Sequence, residues 1–260
     1  MHLFVVTCGT SLSKSSRCWN GCESFAGCTD LDDYDGEQLV LRAADLAGNP
    51  LAHLHGIRQR ILLNVEGDER TMDERAEAEV ATHFRADCWL SGPRYLLSAE
   101  LATLRAMNAR ITDGSRVVLV SGRSNAPDAA LIGAILRHLV RIERFPRAEI
   151  LRRSPVAWDP IDSVTFTRAL RALWECTLLE LATAPDVQDV SLVLTGGYKA
   201  VLIDIGIKIG ANPSSAVSSK LRGAYYLHEE KQNALVSIAV TRDPVGAISG
   251  TEGTVERFDN

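Results

Sequence analysis

The chain has 260 residues, 46% of them hydrophobic and 23% charged, with a net charge of −5 and a mean hydropathy near zero. That balance predicts a soluble, globular chain of one large or two small domains, with no apolar run long enough to span a bilayer. The acidic balance argues against a basic surface for long DNA or RNA, and it leaves open a small anionic ligand held in one local pocket. The first residues carry no basic n-region of the kind that opens a secretory signal. A cytoplasmic protein is expected, with its six cysteines unpaired.

In chain order, His2-Leu3-Phe4-Val5-Val6-Thr7 reads as a strand, followed by a loop of small residues, Cys8-Gly9-Thr10-Ser11. Residues 13–36 are rich in Ser, Gly, Cys and Asp and read as an irregular insertion. Cys18, Cys22 and Cys28 lie there at spacings that miss the paired C-x2-C of zinc sites, and nothing selects Cys8, His53 or His55 as a fourth ligand. They read as free thiols, and neither a metal nor a cofactor is expected. Helical spacing follows over Glu37–Leu46, Leu54–Leu63 and Glu69–Phe84, the last being charged and exposed. Ser91-Gly92-Pro93 reads as a helix start, with Leu101 and Leu104 on an apolar face that continues to Met107.

Arg116–Ser121 reads as a central strand closed by Gly122. Ala126-Pro127-Asp128 opens a helix reaching about Leu139, with Leu131, Ile132, Ile135 and Leu136 buried. The arginine-rich stretch Arg141–Arg153 holds a short, solvated edge strand. Pro160–Ala182 reads as a long helix whose core side is Phe166, Leu170, Leu173, Leu178 and Leu181. Val190–Leu194 is a buried strand, Tyr225–Leu227 and Leu235–Val240 are two final strands, and residues 241–260 read as a polar tail.

Thr195-Gly196-Gly197-Tyr198-Lys199 follows the Val190–Leu194 strand. Paired glycines let bare N–H groups approach a ligand, and Lys199 sets a cation beside them. Those are the ingredients of a phosphate site. Residues 201–209 fit two periods. Val201, Ile203, Ile205, Ile207 and Ile209 alternate as in a strand, whereas a helix would place Asp204 and Lys208 one turn apart. A parallel sheet needs a crossover at this point, which favours the helix. The alternation of elements predicts an α/β chain with a Rossmann-like open, mostly parallel sheet flanked by helices and ligands at the strand ends. Neither G-x-G-x-x-G nor a Walker A motif occurs.

Four stretches in this order resemble the CARF domains of type III CRISPR systems, which sense cyclic oligoadenylates: Cys8-Gly9-Thr10-Ser11-Leu12, Ser98-Ala99-Glu100-Leu101, the Ser121 loop, and Leu194–Lys199 with the later Tyr226-Leu227-His228-Glu229. The similarity spans residues 1–240, with 13–36 as an insertion. The family's Ser-Asp-Thr loop is replaced by Ser121-Gly122-Arg123-Ser124-Asn125. Too few residues follow Ala239 for a HEPN ribonuclease domain or a winged helix, so the resemblance implies a stand-alone member, a ring nuclease cutting cyclic tetra-adenylate. It supports the helix for residues 201–209.

The resemblance implies a mechanism and a set of site residues as well. Ring nucleases work without a metal: a ribose 2′-hydroxyl attacks the adjacent phosphorus and leaves a 2′,3′-cyclic phosphate. Lys199 matches the family lysine and would stabilise charge on the phosphorane-like transition state or protonate the leaving oxygen. Ser11 matches the serine that positions ribose or phosphate; as a plain residue it also suits a helix N-cap. By the same resemblance Gly9, Thr10, Thr195, Gly196, Gly197 and Tyr198 would line the ligand, and Ser121, Arg123 and Ser124 would contact the ring. His228 is a candidate base, but in the family this stretch is structural. Cyclic tetra-adenylate is two-fold symmetric, so a C2 homodimer is its natural host.

Overall fold

The computed structural model describes residues 1–8, 50–62, 71–84, 99–120, 127–142, 149–153, 162–194, 199–227 and 234–257. The chain divides into two compact units. One comprises Met1–Gly9, Ala99–Arg123 and Glu143–Asn260, and the other Thr10–Ser98 and Ser124–Ile142.

The first unit is built on a seven-stranded sheet. Its strands are β1 (His2–Thr7), β2 (Arg116–Val120), β3 (Glu149–Arg153), β4 (Asp189–Val193), β5 (Leu221–Leu227), β6 (Ala234–Arg242) and β7 (Ile248–Arg257). They lie in the order β3-β2-β1-β4-β5-β6-β7. The pairings from β3 to β5 are parallel, and β6 and β7 add on as an antiparallel extension. β1, β2 and β4 are buried at every residue but the first of each, as expected of parallel strands inside a sheet. This is the open, mostly parallel α/β sheet expected from the alternation of elements.

Strand alternation divides the side chains between two faces. Leu3 and Val5, Val118 and Val120, and Val190 and Leu192 share one face and join a single core cluster. Two crossover segments close that face. The first is α5 (Ser163–Leu173), continued by a π-helical turn (Trp174–Leu179) and α6 (Glu180–Thr183). The second is α7 (Lys199–Ala211), followed by α8 (Ala216–Lys220). Ala169, Leu173, Trp174, Leu178 and Leu181 come from the first, and Val201, Ile205 and Val217 from the second. The helix α3 (Ala99–Ala106) lies against β4 and β5 and buries Leu101 and Leu104 outside that cluster.

Three expectations change in detail. The long helix starts at Ser163, where the Asp162 carboxylate accepts from the Val164 N–H at 3.0 Å. Its core residues Leu173 and Leu178 are five positions apart, a step that suits the wider π turn between them. Residues 241–260, expected as a polar tail, supply the end of β6 and the whole of β7. An Asx turn joins those strands: the Asp243 carboxylate accepts from Val245 and Ala247 N–H, and Gly246 takes φ 86°. β7 is an edge strand with almost every residue exposed, so it has no apolar face to betray it in the sequence.

The second unit contains α1 (Pro50–Leu62), α2 (Met72–His83) and α4 (Pro127–Ile142), which pack on one another. α4 runs past the expected Leu139, and it buries Leu131, Ile135 and Leu136; the side chain of Ile132 lies outside the described set. α2 starts with a reciprocal capping box between Thr71 and Glu74. Its acidic face pairs both ways, Glu77 with Arg137 of α4 and Glu79 with Arg60 of α1 at 3.3 Å. The helix expected over Glu37–Leu46 and the start at Ser91-Gly92-Pro93 lie outside the described residues.

Candidate functional site

The order β2-β1-β4 places three strand ends side by side. In the parallel ladders Thr7 lies beside Val120 and Val6 beside Val193. The pairing continues to the very ends: Cys8 N–H donates to the Val120 carbonyl at 2.8 Å, and Leu194 N–H donates to the Tyr225 carbonyl at 2.8 Å. The buried Thr7 hydroxyl donates to the Val193 carbonyl at 3.2 Å, tying the β1 and β4 ends together. Neighbouring strands are about 4.8 Å apart. The segments that follow Cys8, Val120 and Leu194 therefore leave one carboxyl edge within roughly two strand spacings of each other.

This edge is also where the topology reverses. From β1 the chain builds β2 and β3 to one side, then returns to place β4 and β5 on the other. The carboxyl edge at such a switch is the ligand crevice of open α/β sheets.

Of the candidate residues, Lys199 is placed by its backbone as the first residue of α7. The helix is the outcome for residues 201–209. Val201 and Ile205 bury one turn apart, and Ile209 packs against the same core. The expected pair forms too: Lys208 Nζ lies 2.6 Å from the Asp204 carboxylate and also donates to the Leu170 carbonyl at 2.9 Å. The first N–H groups of a 13-residue helix have no acceptor within the helix, and that end carries partial positive charge. It thus follows directly on the segment leaving β4, where an anion is favoured.

Gly9, Thr10, Ser11, Ser121, Arg123, Ser124, Thr195, Gly196, Gly197, Tyr198 and His228 lie outside the described residues. The structure places their anchors, Cys8, Val120, Leu194, Lys199 and Leu227. Cys18, Cys22 and Cys28 also lie outside the described residues. Among the described residues no group of three His, Cys, Asp or Glu is placed to hold a metal ion, and no helix is long and apolar enough to cross a membrane.

Two polar residues on these central strands drew no notice in the sequence. Thr7 could have been flagged as the one polar residue closing an apolar strand. Ser191 interrupts β4 and is fully buried, with its hydroxyl 2.9 Å from His2 Nε2. The His2 ring stacks on Phe4 at 4.2 Å, and burial pushes its pKa below the usual histidine value. This pair joins the first residue of β1 to the middle of β4, away from the carboxyl edge and with no exposed hydroxyl, so it is part of the scaffold and not a nucleophile–base pair.

No protein-family model matches the chain, and a search of curated proteins finds no significant match.

Proposed function

We propose that this protein is a ring nuclease of the CARF kind, which binds cyclic tetra-adenylate and opens it by metal-independent transesterification. The observation that carries the reading is the adjacency of β1 and β4. It brings the Gly9-Thr10-Ser11 and Thr195–Lys199 segments, far apart in sequence, out of neighbouring strands at a topological switch. Each segment offers small residues whose N–H groups suit phosphate oxygens. α7 adds its N-terminal end and Lys199.

In this reading the ribose 2′-oxygen forms a bond to the adjacent phosphorus while the bond from phosphorus to the 5′-oxygen breaks. The 2′-proton leaves and the departing 5′-oxygen takes one up. The nucleophile is already part of the substrate, so the protein must chiefly hold the 2′-oxygen in line with the leaving oxygen. It must also offset the growing negative charge on the phosphoryl oxygens. Ser11 serves the first requirement and Lys199 the second, with Ser121, Arg123 and Ser124 as further contacts to the ring.

The test is incubation of the purified chain with cyclic tetra-adenylate in EDTA. Linear products ending in a 2′,3′-cyclic phosphate are expected. Lys199→Ala should lower the rate by about 100-fold or more, the scale of losing one charge-stabilising donor, with a smaller loss for Ser11→Ala. Binding without turnover would make the protein a non-catalytic sensor that regulates a partner. No binding would leave a Rossmann-like enzyme acting on another nucleotide.

A further inference from the structure

β7 forms one edge of the sheet. It is 10 residues long, and among the described residues it pairs with β6 alone. In an antiparallel pair every second residue turns its N–H and C=O away from the neighbouring strand. Proteins commonly shorten, cover or bulge such an edge, or place proline or lysine on it, because it templates pairing with another chain. β7 holds neither proline nor lysine, and residues 251–257 are all exposed. The register shift in its pairing lies at its start, opposite Thr241 and Arg242.

The two faces beside this edge differ. The register with β6 sets Val255 beside Val236 and Gly253 beside Ile238. Val255 is 62% exposed, and this face carries no charge from Ser249 to Val255. The opposite face carries Glu252 and Glu256, with Thr254 between them. Glu256 pairs with Arg110. Glu252 is exposed and has no ion-pair partner among the described residues.

We propose that β7 is a docking edge for an extended segment of a partner protein, in which basic residues alternate with β-branched ones. The segment adds a further strand to the sheet, and its backbone takes up the outward N–H and C=O groups of β7. Directly opposed residues of paired strands share a face. The basic side chains therefore fall beside Glu252 and Glu256, and the apolar ones beside Gly253 and Val255. Charge decides against a second copy as the occupant. Two β7 strands paired antiparallel about a two-fold axis keep like faces on one side, so their glutamates would gather along one seam. β7 stands three strands from β4, roughly 14 Å away. The added strand thus leaves the carboxyl edge between β1 and β4 uncovered, whatever that edge binds.

Fluorescence anisotropy of the full chain with a labelled, end-capped peptide Lys-Val-Lys-Val-Lys-Val-Lys tests the edge. Saturable binding is expected. A peptide with the same lysines and valines gathered into two blocks keeps the charge and loses the alternation. A peptide N-methylated at alternate residues keeps the side chains and loses backbone donors. Each should bind about 5-fold more weakly or worse. Glu252→Lys should weaken the alternating peptide by about 5-fold or more, the scale of turning a cross-strand attraction into a repulsion, with an unchanged circular dichroism spectrum. Glu175→Lys makes the same charge change at an exposed residue of the π turn and should leave binding as it was. Hydrogen exchange along β7 should slow in the complex. No binding of the alternating peptide, equal binding of the block or N-methylated peptide, equal weakening by Glu252→Lys and Glu175→Lys, or β7 amides no slower in the complex would each overturn the proposal.

Discussion

At the scale of single residues, close approach and burial decide most. Gly223 sits where β5 meets β6, and a Cβ there would lie 2.5 Å from the Ile238 carbonyl oxygen. Gly223→Ala must push two paired backbones apart. It should cost about 1–3 kcal/mol, read as a lower urea midpoint at unchanged slope. His2 supplies the pH dependence. Burial lowers its folded pKa, Asp189 opposes that, and Arg222 and the chain's amino group add to the lowering. His138 in the second unit is lowered too, by burial first and then by Arg141. The unfolded chain therefore takes up these protons first as pH falls below about 6.5. Stability from the neutral imidazoles is complete above that value and declines toward the lower folded values. Urea unfolding at intervals between about pH 7 and pH 5 should show this decline, with a shallower slope in His2→Gln. Neither Gly223 nor His2 could be picked out from the sequence, because each depends on a neighbour on a different strand.

At the scale of elements, local chemistry was often enough. Pro127 opens α4 as anticipated, and Thr71 with Glu74 forms a capping box on α2. Thr71→Ala should destabilise the protein by about 1 kcal/mol, while Thr71→Ser should stay close to wild type. The alternating segment of α7 shows where local pattern stops. Val201, Ile205 and Ile209 follow the helical step and pack on the core; Ile203 and Ile207 share the strand-like alternation because they belong to the opposite face. Two apolar faces on one helix imitate a strand period. Only the crossover demanded by a parallel sheet separates the two readings. The π turn of the long helix and the polar strand β7 had no local signal strong enough to find them. The first spends an extra residue to keep Leu178 on the core side, and the second owes its strand conformation to pairing with β6.

At the scale of the whole molecule, the sheet carries a stability gradient. β1, β2 and β4 are buried within parallel ladders, whereas β7 is an exposed edge. Native-state hydrogen exchange should therefore give the slowest amides in β1, β2 and β4 and early exchange along β7; uniform protection across all seven strands would contradict this. The same arrangement sets which strand ends share the carboxyl edge. The sequence by itself determined which segments have the make-up of a phosphate site, since glycine pairs, small hydroxyl residues and a lysine after a strand have that capacity wherever they fold. It also determined the α/β class, because alternating apolar periods admit few layer arrangements. Only the tertiary structure decided that β4 returns to the side of β1 away from β2, putting the Cys8 and Leu194 ends on neighbouring strands. Strand order is set by which buried faces pack together across long sequence separations, and no local pattern encodes it.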